Sequence, residues 1–200
     1  MNWALPDTYR IEVSTEELEK GRVLKGQYNI GYHLEGLEAC NEEPIIEDTQ
    51  EYVLWTLLEE TTPETETQED LTAYHLARAR NAEVMHENGL NVPETAFVEA
   101  EVDGRYTTSF LVTPYVDHTS FEQRPKYPGG DMRRQNPHTR DPFDSPERRN
   151  FEASIERAME DIDDQRLVRE GKIVNAGDGG IDDHNKNWGL VDGELMRLDI

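Results

Sequence analysis

The sequence predicts an α+β fold, with an antiparallel sheet and a helix in a first lobe and a helix and β-hairpin after it. Two Asp-Gly pairs, Asp103-Gly104 and Asp192-Gly193, each lie between short runs of β-forming residues. Asp-Gly accepts the positive φ angles that a two-residue turn requires, so each pair predicts a hairpin. The third observation is a helical pattern from about residue 70 to residue 88, between the early strands and the first hairpin.

The first sixty residues are predicted to form strands. Tyr9 to Val13 alternates apolar and polar residues, Arg22 to Leu34 is rich in β-formers, and Glu51 to Leu58 has the composition of a buried central strand. Two interpretations remain for Gly26 to Gly31: a degenerate phosphate-covering loop, or a bulge. The spacing of the two glycines favours the bulge.

The predicted helix has clear signals at both ends. Thr67 and Asp70 have the spacing of a capping box, and Gly89 follows the last helical turn. We expect one apolar stripe to pack on the strands, formed by Leu71, Tyr74, Ala77, Val84 and Met85. Thr95 to Glu101 and Tyr106 to Pro114 then form the first Asp-Gly hairpin.

Residues 122–150 form a Pro-, Gly- and Arg-rich arm with a net charge of +2, from seven Lys or Arg and five Asp or Glu. A loop of this length is either functional or a linker, and both interpretations stay open. If functional, the arm would dock on an acidic partner or on another copy. Ser145-Pro146-Glu147 is a good helix start, and a stripe of Phe151, Ile155, Met159 and Ile162 runs along that helix, which Gly171 is expected to close. We expect one domain: a lobe at 1–117, the arm at 118–150, and the helix and hairpin at 151–200.

Charge excludes several classes of partner. The chain has 43 Asp plus Glu and 20 Lys plus Arg, a net charge of −23, and repels nucleic acids and anionic membranes. An excess of carboxylates with few Lys indicates adaptation to a high-salt interior, where repulsion is screened. Cys40 has no second cysteine to pair with, and no apolar run is long enough to cross a bilayer. We therefore expect a cytoplasmic protein or a component of a virus particle.

The last twenty-two residues carry the candidate chemistry. Asp182, Asn187 and Asp199 offer the hard oxygen atoms that hold Mg²⁺ against phosphate. A hairpin with strands Trp188 to Val191 and Leu195 to Leu198 would carry Asp199 back next to Asn187. The sequence thus predicts one loop and one hairpin that converge on a metal site.

This segment resembles the catalytic loop and hairpin of the protein-kinase-like superfamily, especially its atypical and aminoglycoside-phosphotransferase-like branches. The resemblance covers residues 70–122 and 146–200. It implies that Asp182 orients the attacking hydroxyl and that Asn187 and Asp199 bind Mg²⁺. It also implies a hinge at Pro114, Tyr115 and Val116 that presents backbone groups to the adenine of ATP.

The chain departs from the family pattern at three places. The strand that should carry the phosphate-binding Lys has Trp55 at the best-matched position, and Glu83, which should pair with that Lys, has Arg80 near it instead. Asp199-Ile200 ends the sequence where the family continues into a helical lobe. The resemblance is therefore to a degenerate, truncated member without a full second lobe.

Two function classes follow from the resemblance and its departures. The favoured one is a non-catalytic binding or structural protein that acts in protein assembly, or self-assembly, and needs no cofactor. The alternative is an Mg-ATP-dependent phosphotransferase with Asp182 as catalytic residue. A calcium loop is a third interpretation of the terminal segment, with ligands at Asp183, Asn185, Asn187 and Glu194, but Trp188 replaces the Gly that such a loop needs.

Overall fold

The computed structural model describes residues 8–25, 29–37, 39–40, 44–47, 49–57, 67–119, 145–160, 162, 167, 170, 172 and 187–198. These residues form an α+β structure with a six-stranded sheet and a separate two-stranded hairpin. In chain order the elements are β1 (Thr8–Val13), α1 (Thr15–Lys20), β2 (Arg22–Lys25), β3 (Asn29–Glu35), β4 (Glu51–Leu57), α2 (Gln68–Glu87), β5 (Ala96–Val102), β6 (Tyr106–Pro114), α3 (Pro146–Glu160), β7 (Trp188–Val191) and β8 (Glu194–Arg197).

The large sheet has the strand order β1-β5-β6-β4-β3-β2. All its neighbouring strands are antiparallel except β1, which runs parallel to β5 from the Thr8–Phe97 pair to the Val13–Val102 pair. The prediction of an antiparallel sheet was therefore wrong at one edge, and the sheet is mixed. The pairing of β1 joins residues about ninety positions apart, which no local pattern encodes.

A short helix interrupts the region that was predicted to be all strand. α1 begins after Ser14, whose side chain accepts a hydrogen bond from the Glu17 backbone N–H, while the Glu17 carboxylate accepts one from the Ser14 N–H. This capping box is legible in the sequence, because Ser and Glu stand three residues apart. Thr15 also donates through its N–H and hydroxyl to the carboxylate of Asp103 in the β5–β6 turn, which fixes α1 against that hairpin.

The two faces of the sheet bury different sets of side chains. One face holds the main core, in which Ile11, Leu54, Val98, Ala100 and Val112 are almost fully buried. The opposite face holds Phe97 and Leu111, which pack against Ala79 of α2. Alternation along β5 and β6 produces this division, because successive residues of a strand point to opposite faces.

α2 has the predicted capping box, in which the Thr67 side chain accepts from the Asp70 N–H and the Asp70 carboxylate accepts from the Thr67 N–H. The predicted apolar stripe was only partly right. Val84 and Met85 are buried, whereas the other three stripe residues are only half-buried. The helix also buries His75, Ala79, Asn81 and Ala82. Two polar residues, His75 and Asn81, therefore lie on the buried side of the helix, where the predicted stripe had only Tyr74 with a polar atom.

α3 and the terminal hairpin pack together at the end of α2. Phe151, Ile155 and Trp188 join a second core with Val84 and Met85. The start of α3 is as predicted, since the Arg148 N–H donates to the Ser145 hydroxyl at 3.1 Å. α3 ends at Glu160, so the helix does not extend to Ile162, which is nevertheless buried in this core.

The structure describes residues at both ends of the predicted arm, 118–150. α3 begins at Pro146, where Ser145-Pro146-Glu147 predicted a helix start, and Thr119 pairs with Leu190 of the hairpin. Residues 120–144, the rest of the arm, lie outside the described residues. Within the ranges given above, no helix combines the length and the apolar content needed to cross a membrane.

Candidate functional site

The terminal hairpin forms as the sequence predicted. β7 and β8 pair antiparallel from Trp188–Arg197 to Val191–Glu194, and the turn residues Asp192 and Gly193 have φ angles of 52° and 86°. The Leu198 N–H donates to the Asn187 carbonyl at 2.7 Å. The residue before Asp199 is therefore held against Asn187.

The predicted metal site is described in part. Asn187 is buried, with 3 % of its surface exposed. Asp182 and Asp199 lie outside the described residues, as do Asp183 and Asn185 of the calcium-loop interpretation. The segment after Asn187 is a strand, whereas a calcium loop of that type leads into a helix. Over the residues that the structure describes, no group of three His, Cys, Asp or Glu side chains is placed to hold a metal ion.

Asn91 ties the hairpin to the first lobe. Its side-chain amide donates to the Leu195 carbonyl at 3.0 Å, and its own carbonyl accepts from the Arg197 N–H at 2.8 Å. Asn91 follows Gly89 and Leu90 at the end of α2, so it extends the contact of that helix with β8. No local pattern indicates this role, because a single Asn after a helix usually bonds to the neighbouring backbone.

The segment after β6 also reaches the hairpin. Thr119 and Leu190 exchange two backbone hydrogen bonds, of 3.0 and 2.9 Å. His118 lies over Gly189, where an added Cβ would come within 2.9 Å of its imidazole. The hairpin thus contacts the chain immediately after the predicted hinge, and a glycine is required where the two segments meet.

The predicted hinge offers few free backbone donors. Pro114 has no N–H, and the Tyr115 N–H donates to the Glu51 carbonyl at 2.8 Å. The Val116 carbonyl lies 3.2 Å from Nδ1 of His118. In the described part of the chain, the Val116 N–H is the one hinge donor without a partner, so a nucleotide base would have a single backbone donor at this hinge.

A polar and aromatic cluster surrounds Tyr115. Its ring stacks on His33 with 4.2 Å between centroids and 20° between planes, and its hydroxyl accepts from Nη1 of Arg22 at 3.3 Å. Nε2 of His33 lies 3.2 Å from a carboxylate oxygen of Glu51. These contacts join the hinge to β2, β3 and β4. Sequence reasoning missed them because the residues are far apart in the chain.

Trp55 of β4 lies directly opposite Gly31 of β3 in the sheet. An added Cβ at Gly31 would lie 2.7 Å from ring carbons of Trp55 and from Cγ1 of Val53, so both side chains fill the space beside this glycine. The indole N–H donates to the Thr113 hydroxyl at 3.1 Å. Gly31 is the described end of the predicted glycine segment, since Gly26 to Tyr28 lie outside the described residues.

Glu83, the expected partner of the missing Lys, is paired with a residue of its own helix, α2. Arg80 forms an ion pair with it, as the sequence suggested, and the Glu83 side chain is half exposed. Trp55 packs against the cluster of Ala79, Phe97 and Leu111 between α2 and the sheet. Among the described residues, no cation from β4 reaches Glu83.

A buried histidine is the most perturbed titratable group that the structure describes. His75 of α2 is fully buried, and its Nδ1 lies 2.9 Å from the Ser109 hydroxyl on β6. Burial, and secondarily the charge of Arg78, lowers the pKa of His75 to about 4. The imidazole is therefore neutral at physiological pH and is part of the helix–sheet contact.

No protein-family model matches the chain, and comparisons with curated proteins and with solved structures find no match.

Proposed function

We propose that the chain is a kinase-like protein without phosphoryl-transfer activity that acts as a binding or structural subunit in protein assembly in a high-salt environment. The order of its elements after α1 supports this proposal: the three strands β2 to β4, a helix, two strands, a helix and a hairpin follow one another as the resemblance implies. The contact between Thr119 and Leu190 adds support, because it brings the hairpin next to the segment after the hinge.

The packing of Trp55 carries the non-catalytic part of the proposal. Phosphoryl transfer depends on positioning and on neutralising phosphate charge, and a Lys on this strand would supply a fixed cation. Trp55 supplies none, and its indole fills the space beside Gly31 and bonds to Thr113. Arg80, which pairs with Glu83, lies on the helix and not on the sheet. Among the described residues, β4 therefore supplies no cation that would hold the α and β phosphates.

Thermal unfolding with and without Mg-ATP, in molar KCl, tests this proposal. A functional nucleotide site at about 100 times its Kd would add about 2.7 kcal/mol of stability, which raises Tm by about 5 to 10 °C in a chain of this length. We expect no shift. A shift of that size, together with ATP consumption that Asp182→Asn abolishes, would refute the non-catalytic proposal.

The second candidate is an Mg-ATP-dependent phosphotransferase, and one observation favours it. The hydrogen bond from the Leu198 N–H to the Asn187 carbonyl holds the residue before Asp199 against Asn187, as a shared metal site would need. In this candidate Asn187 and Asp199 hold Mg²⁺ and Asp182 orients the nucleophile. Metal binding measured by calorimetry in wild type and in Asp199→Asn distinguishes the two candidates, because only the phosphotransferase requires a difference.

A further inference from the structure

The two edges of the large sheet differ in how they are covered. At the β1 edge, the Cys40 N–H donates to the Arg10 carbonyl at 2.7 Å. At the other edge, Arg22 to Lys25 of β2 make no backbone hydrogen bonds to described residues apart from those to β3. An uncovered edge strand presents a row of backbone donors and acceptors that an added strand can pair with.

The side chains of β2 extend this open edge. Val23 has 43 % of its surface exposed, and Val23 and Tyr106 are the large apolar residues that the structure describes as exposed. Val23 pairs with Tyr32, which packs against the main core, so an added strand would continue an existing apolar face. Leu24, the next residue, is half-buried and faces the opposite side.

The charge of this edge is opposite to that of the molecule. β2 itself, RVLK, contains two basic residues and no acidic one, in a chain with a net charge of −23. Lys20, just before it, is already paired with Glu16 of α1. Arg22 is exposed, and its contact with the Tyr115 hydroxyl uses one of the five guanidinium N–H donors. An approaching segment with carboxylates would therefore meet attraction at β2 and repulsion over most of the remaining surface.

The same charges argue against a second copy as the occupant. If two β2 strands paired antiparallel over all four residues, Arg22 of one copy would stand opposite Lys25 of the other at both ends. Like charges directly opposite across a strand pair are destabilising. Cations on a short edge strand thus discourage self-pairing and leave an acidic strand as the matching occupant.

We infer that β2 is a docking edge for an extended acidic segment of a partner protein, which adds to the sheet as a further strand. The best segment has two apolar residues opposite Val23 and Leu24 and one carboxylate opposite each of Arg22 and Lys25. This inference rests on the assembly role proposed above and names the chemistry of its partner. It does not depend on nucleotide binding.

The test uses fluorescent peptides and the full chain in molar KCl, the environment proposed above, where long-range repulsion is screened and charges in direct contact are screened less. The probe is Thr-Thr-Glu-Val-Val-Glu-Thr-Thr, and its charge-reversed control is Thr-Thr-Lys-Val-Val-Lys-Thr-Thr. We expect the acidic peptide to bind and Arg22→Glu to weaken it about tenfold or more. The matched control is Arg10→Glu on β1, also an exposed Arg but at the opposite edge of the sheet, which should change affinity less than about twofold.

Several results decide the inference. Two results would support it. The Arg22→Glu variant should bind the Lys peptide better than wild type does. Binding of the acidic peptide to wild type should shift amide signals only within Arg22–Leu24. Four results would overturn the inference. Two concern the peptides: no binding of the acidic peptide, or equal binding of both peptides. The other two are an equal loss of affinity for the acidic peptide in the two Arg variants, and a wild-type dimer that Arg22→Glu dissociates. These failures leave the non-catalytic proposal standing, whereas a Tm shift with Mg-ATP together with ATP consumption overturns the non-catalytic proposal and leaves the docking edge untouched.

Discussion

Acidification should destabilise the fold through His75, and the size of the effect follows from its burial. The imidazole is enclosed between α2 and β6, with Ser109 at Nδ1 and no described partner at Nε2. Protonation would place a charge in this contact beside Arg78 of the same helix. Burial is the larger cause of the low pKa, and the Arg78 charge adds to it. The relevant perturbation is therefore a fall in pH.

The direction and magnitude can be worked out from the two pKa values. The unfolded chain has the ordinary His pKa of 6.5 and the folded chain one of about 4. Above pH 6.5 both states are neutral, so His75 favours neither. As the pH falls from 6.5 toward 4, the imidazole of His75 is protonated in the unfolded state and stays neutral in the folded state. The free energy of unfolding therefore falls by about 1.4 kcal/mol per pH unit. Between about pH 7.5 and pH 5 the loss is about 2 kcal/mol.

Urea unfolding across this pH range measures the effect. Carboxylates titrate as well, so the quantity to compare is the pH dependence of wild type against that of His75→Gln, which keeps a polar side chain and cannot take up the proton. The stability difference between the two proteins should shrink by about 2 kcal/mol between about pH 7.5 and pH 5. His86→Gln, at an exposed position of the same helix, is the control and should follow wild type. If the free energy of unfolding had the same pH dependence in wild type and in His75→Gln, the pKa of His75 would not be lowered in the folded chain.

Four further predictions concern packing and charge, and denaturant or thermal unfolding measures each. Phe151→Ala should lower the free energy of unfolding by about 3 to 4 kcal/mol, because the ring is 2 % exposed in the second core; a loss below about 1 kcal/mol would contradict that packing. Gly31→Ala should lower the free energy of unfolding by about 1 to 3 kcal/mol, because the added Cβ would lie 2.7 Å from Trp55 and Val53. An unchanged free energy of unfolding would disprove this contact. Asn91→Ala should cost about 1 kcal/mol and speed amide exchange in β8, with unchanged exchange as the contrary result. Added KCl should raise Tm because the net charge of −23 is then screened, and a Tm that falls steadily with salt would contradict this.

Local features of the fold were predictable because neighbouring residues determine them. The turn at Asp103-Gly104 has φ angles of 53° and 62°, which Asp-Gly accepts at little cost. The capping box of Thr67 and Asp70 and the start of α3 at Ser145 depend on residues three positions apart. The hairpin of the candidate site belongs to the same class, since its two strands are joined by a two-residue turn.

Other features were missed because they depend on docking between distant segments. The pattern along α2 favoured a stripe through Leu71 and Tyr74, yet the helix lies on the sheet with His75 inside, where Ser109 supplies the hydrogen bond that makes burial of the imidazole tolerable. The stack of His33 on Tyr115 joins a strand to the hinge. A partner more than eighty residues away cannot be read from a local sequence pattern.

The turns, the caps, the periodicity of the strands and the net negative charge follow from the sequence, because each is set by local chain geometry or by composition. Tertiary packing is needed to explain why β1 pairs parallel with β5, why Trp55 fills the space beside Gly31, and why β2 lies at one end of the sheet. All three have one cause. Which strand pairs with which, and what each face buries, depends on the free energy of contacts between segments far apart in the chain, and that free energy is known only once the segments have packed.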